Sequence, residues 1–125
     1  MTLLSRSEFE QLVVLALDAL PPYFQEKISN VEVLIKSWPS KIELREAGVP
    51  PGHTLLGLYS GIPLTERTHN YGLVSPDTIT LYQGPIEQSA DDVADIPEIV
   101  RHTVIHEFAH HFGISDDRLH ELGAY

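Results

Sequence analysis

The sequence predicts an α+β fold: a small sheet of about three to four strands packed on an N-terminal helix and a C-terminal helix. Three observations predict it. The chain opens on a strongly amphipathic helical stretch, its middle carries short β-branched runs between Gly and Pro breaks, and its last third returns to helical periodicity. With 125 residues, 42% of them hydrophobic and 21% charged, it is sized for one domain, taken as 1–125.

Phe9, Leu12, Val13, Ala16, Leu17 and Leu20 fall on a single helical face. Ser7 with Glu10 forms a capping-box start, and Pro21-Pro22 forms a stop. Residues 31–36 (VEVLIK) form a β-branched run that reads as a mostly buried strand, ended by Trp38-Pro39. Residues 40–52 show no sustained period and finish in Pro50-Pro51-Gly52, a turn. A second strand is expected over 53–59, weakened by Gly57 and closed by Gly61 and Pro63. Residues 64–77 read as a long polar loop, and 78–83 alternate as a third strand ending at Gly84-Pro85. From Ser89 the chain turns helical behind Asp91, Asp92 and Asp95, which suit a helix N-terminus. The main helix starts at Pro97, runs to Phe112 and stops at Gly113; a short last helix covers 116–122.

Composition excludes several classes. Eight Lys and Arg against 18 Asp and Glu give a formal charge of −10, which repels phosphate backbones and attracts divalent cations and basic peptides. No nucleic-acid partner is expected. Cysteine is absent, so thiolate chemistry and Cys-type zinc sites are out. No run reaches the roughly 20 apolar residues of a membrane span, and the first helix lacks the basic leader and cleavage site of a signal peptide. The expected location is the cytoplasm, without membrane association.

Four of the seven histidines lie between 102 and 111. His106-Glu107-Phe108-Ala109-His110 is an H-E-x-x-H segment on the main helix. Histidines four apart share a face, so both imidazoles can ligate one ion, and Glu107 lies close enough to act on a metal-bound water. His102 cannot be the third ligand to His110, because eight residues span about 12 Å of helix. Gly113 can end the helix in the left-handed conformation and return Asp116 towards the metal, completing His106-Glu107-x-x-His110-x-x-Gly113-x-x-Asp116. Asp117 competes with Asp116 for this place, or caps the last helix; spacing favours Asp116. Two histidines, a carboxylate and a water form a tetrahedral catalytic zinc site.

That extended motif resembles zinc-dependent metallopeptidases of the zincin type. The leading amphipathic helix, Leu56-Gly57-Leu58-Tyr59 with Pro63-Leu64-Thr65, the 77–82 strand and the 106–116 segment are together similar to the small bacterial "minimal zincin" family. The resemblance covers nearly the whole chain. It implies a zincin-like fold in which a small sheet packs on the active-site helix, ligand roles for His106, His110 and Asp116, and the base role for Glu107. Two features depart from larger relatives. Met1 is the only methionine, so a Met-turn is missing, and Glu121 stands only eleven residues past His110, too near for a distant glutamate ligand.

Val104, Phe108, Phe112, Ile105 and Ala109 fill one arc of the main helix, with His106 and His110 adjoining it, which places the ligands at the edge of the core facing a cleft. The expected activity is single-zinc hydrolysis of peptide or amide bonds: zinc lowers the pKa of its water, Glu107 takes the proton, and the hydroxide attacks a polarised carbonyl. A peptide or protein substrate would add as a strand to a sheet edge, assigned to 78–83. The small size leaves room for a partner protein to supply selectivity. His102 and His111 read as supporting or surface groups, Tyr59 and Tyr82 as packing residues, and His53, His69 and His120 have no motif around them. Two rivals stand beside this reading. One is a metal-binding or interaction module without turnover. The other is a metal-dependent endoribonuclease, because a bacterial family of rRNA-processing endonucleases spaces three histidines as His-x3-His-x5-His; the charge of −10, Glu107 and the lack of a Lys/Arg cluster oppose it.

Overall fold

The computed structural model describes residues 4–61 and 77–123. Helix α1 (Arg6–Asp18) is capped two residues earlier than expected: Ser5 is the N-cap, its hydroxyl accepting from the Glu8 N–H while the Glu8 carboxylate accepts from the Ser5 N–H. The predicted Ser7–Glu10 box gives way to this one because Arg6 ties the start down. Its guanidinium donates to Gln83 Oε1 at 2.8 Å, the Ile35 carbonyl at 2.9 Å and Ser37 Oγ at 2.8 Å. The apolar face holds as read: Phe9, Val13, Ala16 and Leu20 are buried, with Leu12 and Leu17 packed at the margin. Helix α1 ends ahead of Pro21-Pro22, as expected, and Pro22 then opens helix α2 (Pro22–Ile28), whose first turn tolerates a missing N–H.

Strand β1 (Val31–Lys36) has the expected bounds, but alternate residues Glu32, Leu34 and Lys36 face solvent. Val31, Val33 and Ile35 on the opposite face pack partly against the core, so the strand is half-buried rather than mostly buried. The stretch read as irregular contains helix α3 (Lys41–Glu46), capped reciprocally by Ser40 and Glu43. Strand β2 (Gly57–Ser60) is shorter than the expected 53–59. Strand β3 (Asp77–Tyr82) hands over at once to helix α4 (Gln83–Ser89), where Gly84 and Pro85 occupy the first turn instead of a terminating loop. Gly84 lies against the Trp38 ring, 2.3 Å from where a Cβ would stand. Pro63, His69 and residues 64–76 of the expected loop lie outside the described residues.

The described strands form one three-stranded mixed sheet in the order β1-β3-β2, with β1 parallel and β2 antiparallel to β3. A 3-10 turn (Val93–Asp95), capped by Asp92, leads into helix α5 (Ile96–Phe112), and a short helix α6 (Asp116–Glu121) follows. Helix α5 packs on α1 and on β2. Ile79 and Leu81 from the sheet meet Val100, Val104, Ile105 and Phe108 from α5 and Phe9 and Phe24 from the first two helices, which makes one apolar cluster. The chain is thus α+β, as expected. Among the described residues no helix is long and apolar enough to cross a membrane.

Candidate active site

Helix α5 presents the motif. Val104, Ile105, Phe108 and Ala109 are buried against the sheet and α1, which leaves His106 and His110 exposed one turn apart on the adjoining face and Glu107 half-buried between core and cleft. Phe112, expected in the same buried arc, keeps 52% of its surface exposed because it sits in the last turn, past the main packing. Gly113 ends the helix at φ 66°, a left-handed conformation that glycine adopts without steric penalty, and Ile114 N–H returns to the Ala109 carbonyl at 2.9 Å. The chain turns there as the motif requires.

Strand β2 lies along this helix at close range. A Cβ on Gly57 would stand 2.8 Å from Thr103 Cγ2 and 3.1 Å from the Thr80 carbonyl oxygen. The register pairs Leu58 with Thr80, and Tyr82 N–H donates to the Leu56 carbonyl at 3.0 Å. Leu56, Leu58 and Ser60 therefore direct their backbone groups at β3, and Gly57 and Tyr59 direct theirs outward. Among the described strands, the one at the sheet's edge beside the motif is β2. The expected edge at 78–83 is corrected: β3 is the central strand, hydrogen-bonded on both sides, and cannot accept another.

The Tyr59 amide donates to Glu107 Oε1 at 3.2 Å. Burial raises the Glu107 pKa above the ordinary carboxylate value, against the lowering pull of this N–H and of His110 and His106. The carboxylate sits between two hollows that share Leu55. One, of about 410 Å³, is lined by Ala47, Leu58, Tyr59, His110 and His111; the other, of about 250 Å³, by Gly57, His102, Thr103 and His106. The His102 ring stacks on His106 with centroids 4.2 Å apart, and the His111 ring stacks on Tyr59 at the same separation. Both rings thus lie beside the motif. Partial burial, with His106 and Arg101 nearby, holds His102 below the usual imidazole pKa.

Tyr59 exceeds the packing role expected of it, because its backbone joins the sheet edge to Glu107. Side-chain patterning carries no sign of a backbone contact. Tyr82 does pack, fully buried, and donates its hydroxyl to Glu43 Oε2 at 2.5 Å. Asp116 and Asp117 both stand exposed in the first turn of α6. The cap there is Ser115, whose hydroxyl accepts from Arg118 N–H at 3.2 Å, so Asp117 is not needed as a cap. Two exposed imidazoles one turn apart are a donor set that fits zinc. Among the described residues, however, no three His, Asp or Glu side chains come together closely enough to hold one ion, so Asp116 is not gathered onto the histidine pair here.

The comparison with protein families decides the family. A model described as "Zincin-like metallopeptidase" matches residues 28–124. The chain belongs to the zincin-like metallopeptidase family. Among solved structures, a conserved hypothetical protein from Thermo thermophilus is similar with a TM-score of 0.54 and 23% identity, over 87% of this chain and 94% of that one. At that identity the likeness concerns the fold alone. No curated protein matches this zincin-like chain significantly.

Proposed function

We propose that this zincin-like protein hydrolyses peptide bonds in extended peptides, with His106, His110 and Asp116 holding one zinc ion and Glu107 as general base. The observation that carries the reading is the position of Glu107: it lies between the two exposed imidazoles on one side and strand β2 on the other, whose Tyr59 N–H donates to it. Zinc, when bound, acidifies water and polarises a carbonyl. Glu107 removes a proton from the attacking water and delivers it to the amide nitrogen as the C–N bond breaks. Half-burial raises its pKa and so makes it a stronger base than an exposed glutamate. The outward groups of Gly57 and Tyr59 orient the substrate as an added strand. The charge of −10 favours basic peptides. Bringing Asp116 onto the histidines belongs to metal binding, which commonly assembles its own site.

The test uses Glu107→Gln, which keeps shape and hydrogen-bonding reach but removes the basic carboxylate. The variant is expected to retain fold and about one zinc per chain and to lose about 10²–10⁴-fold in kcat on any peptide the wild type cleaves. Wild-type turnover by this variant would refute the base role. The ungathered Asp116 favours the second reading, a metal-binding module without turnover. Stoichiometric zinc with no cleavage of a broad peptide library would support it, and cleavage of RNA instead would support the endoribonuclease.

A further inference from the structure

The smaller hollow beside Glu107 does not end at the motif. Towards the start of α5 it runs into a third, of about 280 Å³, through the shared residues Leu56, His102 and Thr103. Ile99, Glu98 and Ser89 complete its walls. Leu56 and Ile99 are half-buried, each packed on the core with part of its surface left accessible. The polar groups around them are already engaged. Ser89 Oγ donates to the Pro85 carbonyl at 3.0 Å, and Thr103 Oγ1 to the Ile99 carbonyl at 2.7 Å. The Glu98 carboxylate accepts from Arg101 at both oxygens, at 2.6 Å and 3.1 Å. The His102 ring lies against His106. What the hollow offers a ligand is therefore mainly apolar surface. An apolar cavity of ~150 Å³ holds benzene, so about 280 Å³ has room for one large side chain.

We propose that this hollow is a side-chain subsite of the cleft, and that it takes one large apolar residue (Leu, Ile, Met or Phe) of a peptide substrate. The inference rests on the peptidase reading and names a sequence preference for it. The position follows from helix geometry. The hollow centres on about residue 101 of α5, which puts it ~9 Å along the axis from Glu107. An extended peptide covers that length in about two to three residues. The recognised side chain therefore stands about two to three residues from the scissile bond, on the side towards the amino end of α5. Burying a large apolar side chain gains in proportion to the area removed from water. A charged one would give up its water for walls whose polar groups are engaged. Leu56 and Ile99, neither of them in the metal motif, are thus the residues that set this preference.

Binding is measured first, without metal or turnover. The N-acetylated, C-amidated derivatives of Leu, Phe, Lys and Asp serve as probes, followed through the methyl NMR signals of Leu56 and Ile99 in the whole chain without added zinc. The Leu and Phe amides are expected to bind at least about tenfold more tightly than the Lys and Asp amides. Ser89→Trp fills the hollow from an exposed rim position and should abolish that preference. Ile99→Thr keeps the branched shape with a less apolar wall and should weaken binding of the Leu amide about threefold. Unchanged amide exchange at Ile79 and Leu81 certifies that each variant keeps the core. Equal binding of the four amides, no binding at all, or a Ser89→Trp protein that takes the Leu amide as wild type does overturns the proposal. Cleavage of a random peptide library by the zinc-loaded protein then locates the subsite. Products are expected to be enriched in Leu, Ile, Met or Phe at one position about two to three residues from the cut, with Ser89→Trp losing at least about tenfold in kcat/KM on peptides that carry Leu there. The two readings fail separately. Cleavage without this enrichment overturns the subsite and keeps the peptidase, whereas amide selectivity with no cleavage of any library member supports the hollow as a binding site and removes the peptidase reading.

Discussion

Replacing Gly57 with alanine should lift β2 off the active-site helix. The added Cβ would stand 2.8 Å from Thr103 Cγ2, about 0.6 Å short of ordinary contact, and 3.1 Å from the Thr80 carbonyl. Thr103 is buried in α5 with its hydroxyl donating to the Ile99 carbonyl at 2.7 Å, and Thr80 belongs to the central strand, so neither yields cheaply. Overpacking of this kind costs about 1–3 kcal/mol. A Gly→Ala change without strain would stabilise by about 0.4–1 kcal/mol through the unfolded chain. The expected net loss is therefore about 1–2 kcal/mol, read as a lower urea midpoint or a fall in Tm of about 4–8 °C. Thr103→Ser removes the opposing methyl and keeps the hydroxyl. The double variant should thus recover at least about 0.5 kcal/mol relative to the sum of the single changes. Because Tyr59 is two residues along the same strand, Gly57→Ala should also speed exchange of the Tyr59 amide. A Gly57→Ala protein as stable as wild type, or more so, would refute the close approach of β2 to α5.

Three further outcomes are expected. His106→Ala and His110→Ala should each abolish stoichiometric zinc binding, and wild-type affinity should fall between about pH 8 and pH 5, since an imidazole must be neutral to ligate; titration calorimetry showing flat affinity would contradict histidine ligation. The Tyr82 hydroxyl and the Ser40 N–H hold Glu43 at a pKa of about 2, below its ordinary 4.5, so this pair stabilises the folded state above about pH 4.5 and loses its effect as pH falls towards about 2. Tyr82→Phe should accordingly cost about 1.5 kcal/mol at neutral pH, with the gap from wild type narrowing in acid, as measured by denaturant unfolding across that range. Gly113→Ala meets no neighbouring atom within 4 Å but must adopt φ 66°, so it should cost about 1–2 kcal/mol from backbone conformation alone, with Gly113→Asn losing less in the same assay.

What the sequence determined by itself is what neighbours along the chain decide. The α1 face, the bounds of β1, the helix from Pro97 to its glycine stop, and the histidines one turn apart all follow from periodicity and capping within a few residues. Helix α3 was legible too, because Ser40 and Glu43 repeat the capping box of α1; its single turn and a half shows too little period to stand out. Competing local signals were settled at long range. Ser5 caps α1 in place of Ser7, with Arg6 bound to the ends of β1 and α4, and Gly84-Pro85 enters a helix with the Trp38 ring against Gly84. Only the tertiary structure decided which strand is the edge. Residues 77–82 carry the better strand pattern, yet they are central, while among the described strands the four-residue β2 lies at the edge beside the motif. Side-chain periodicity reports which faces are buried. The Tyr59 amide that reaches Glu107 is a backbone group, and its direction depends on how β2 pairs with β3 and lies against α5.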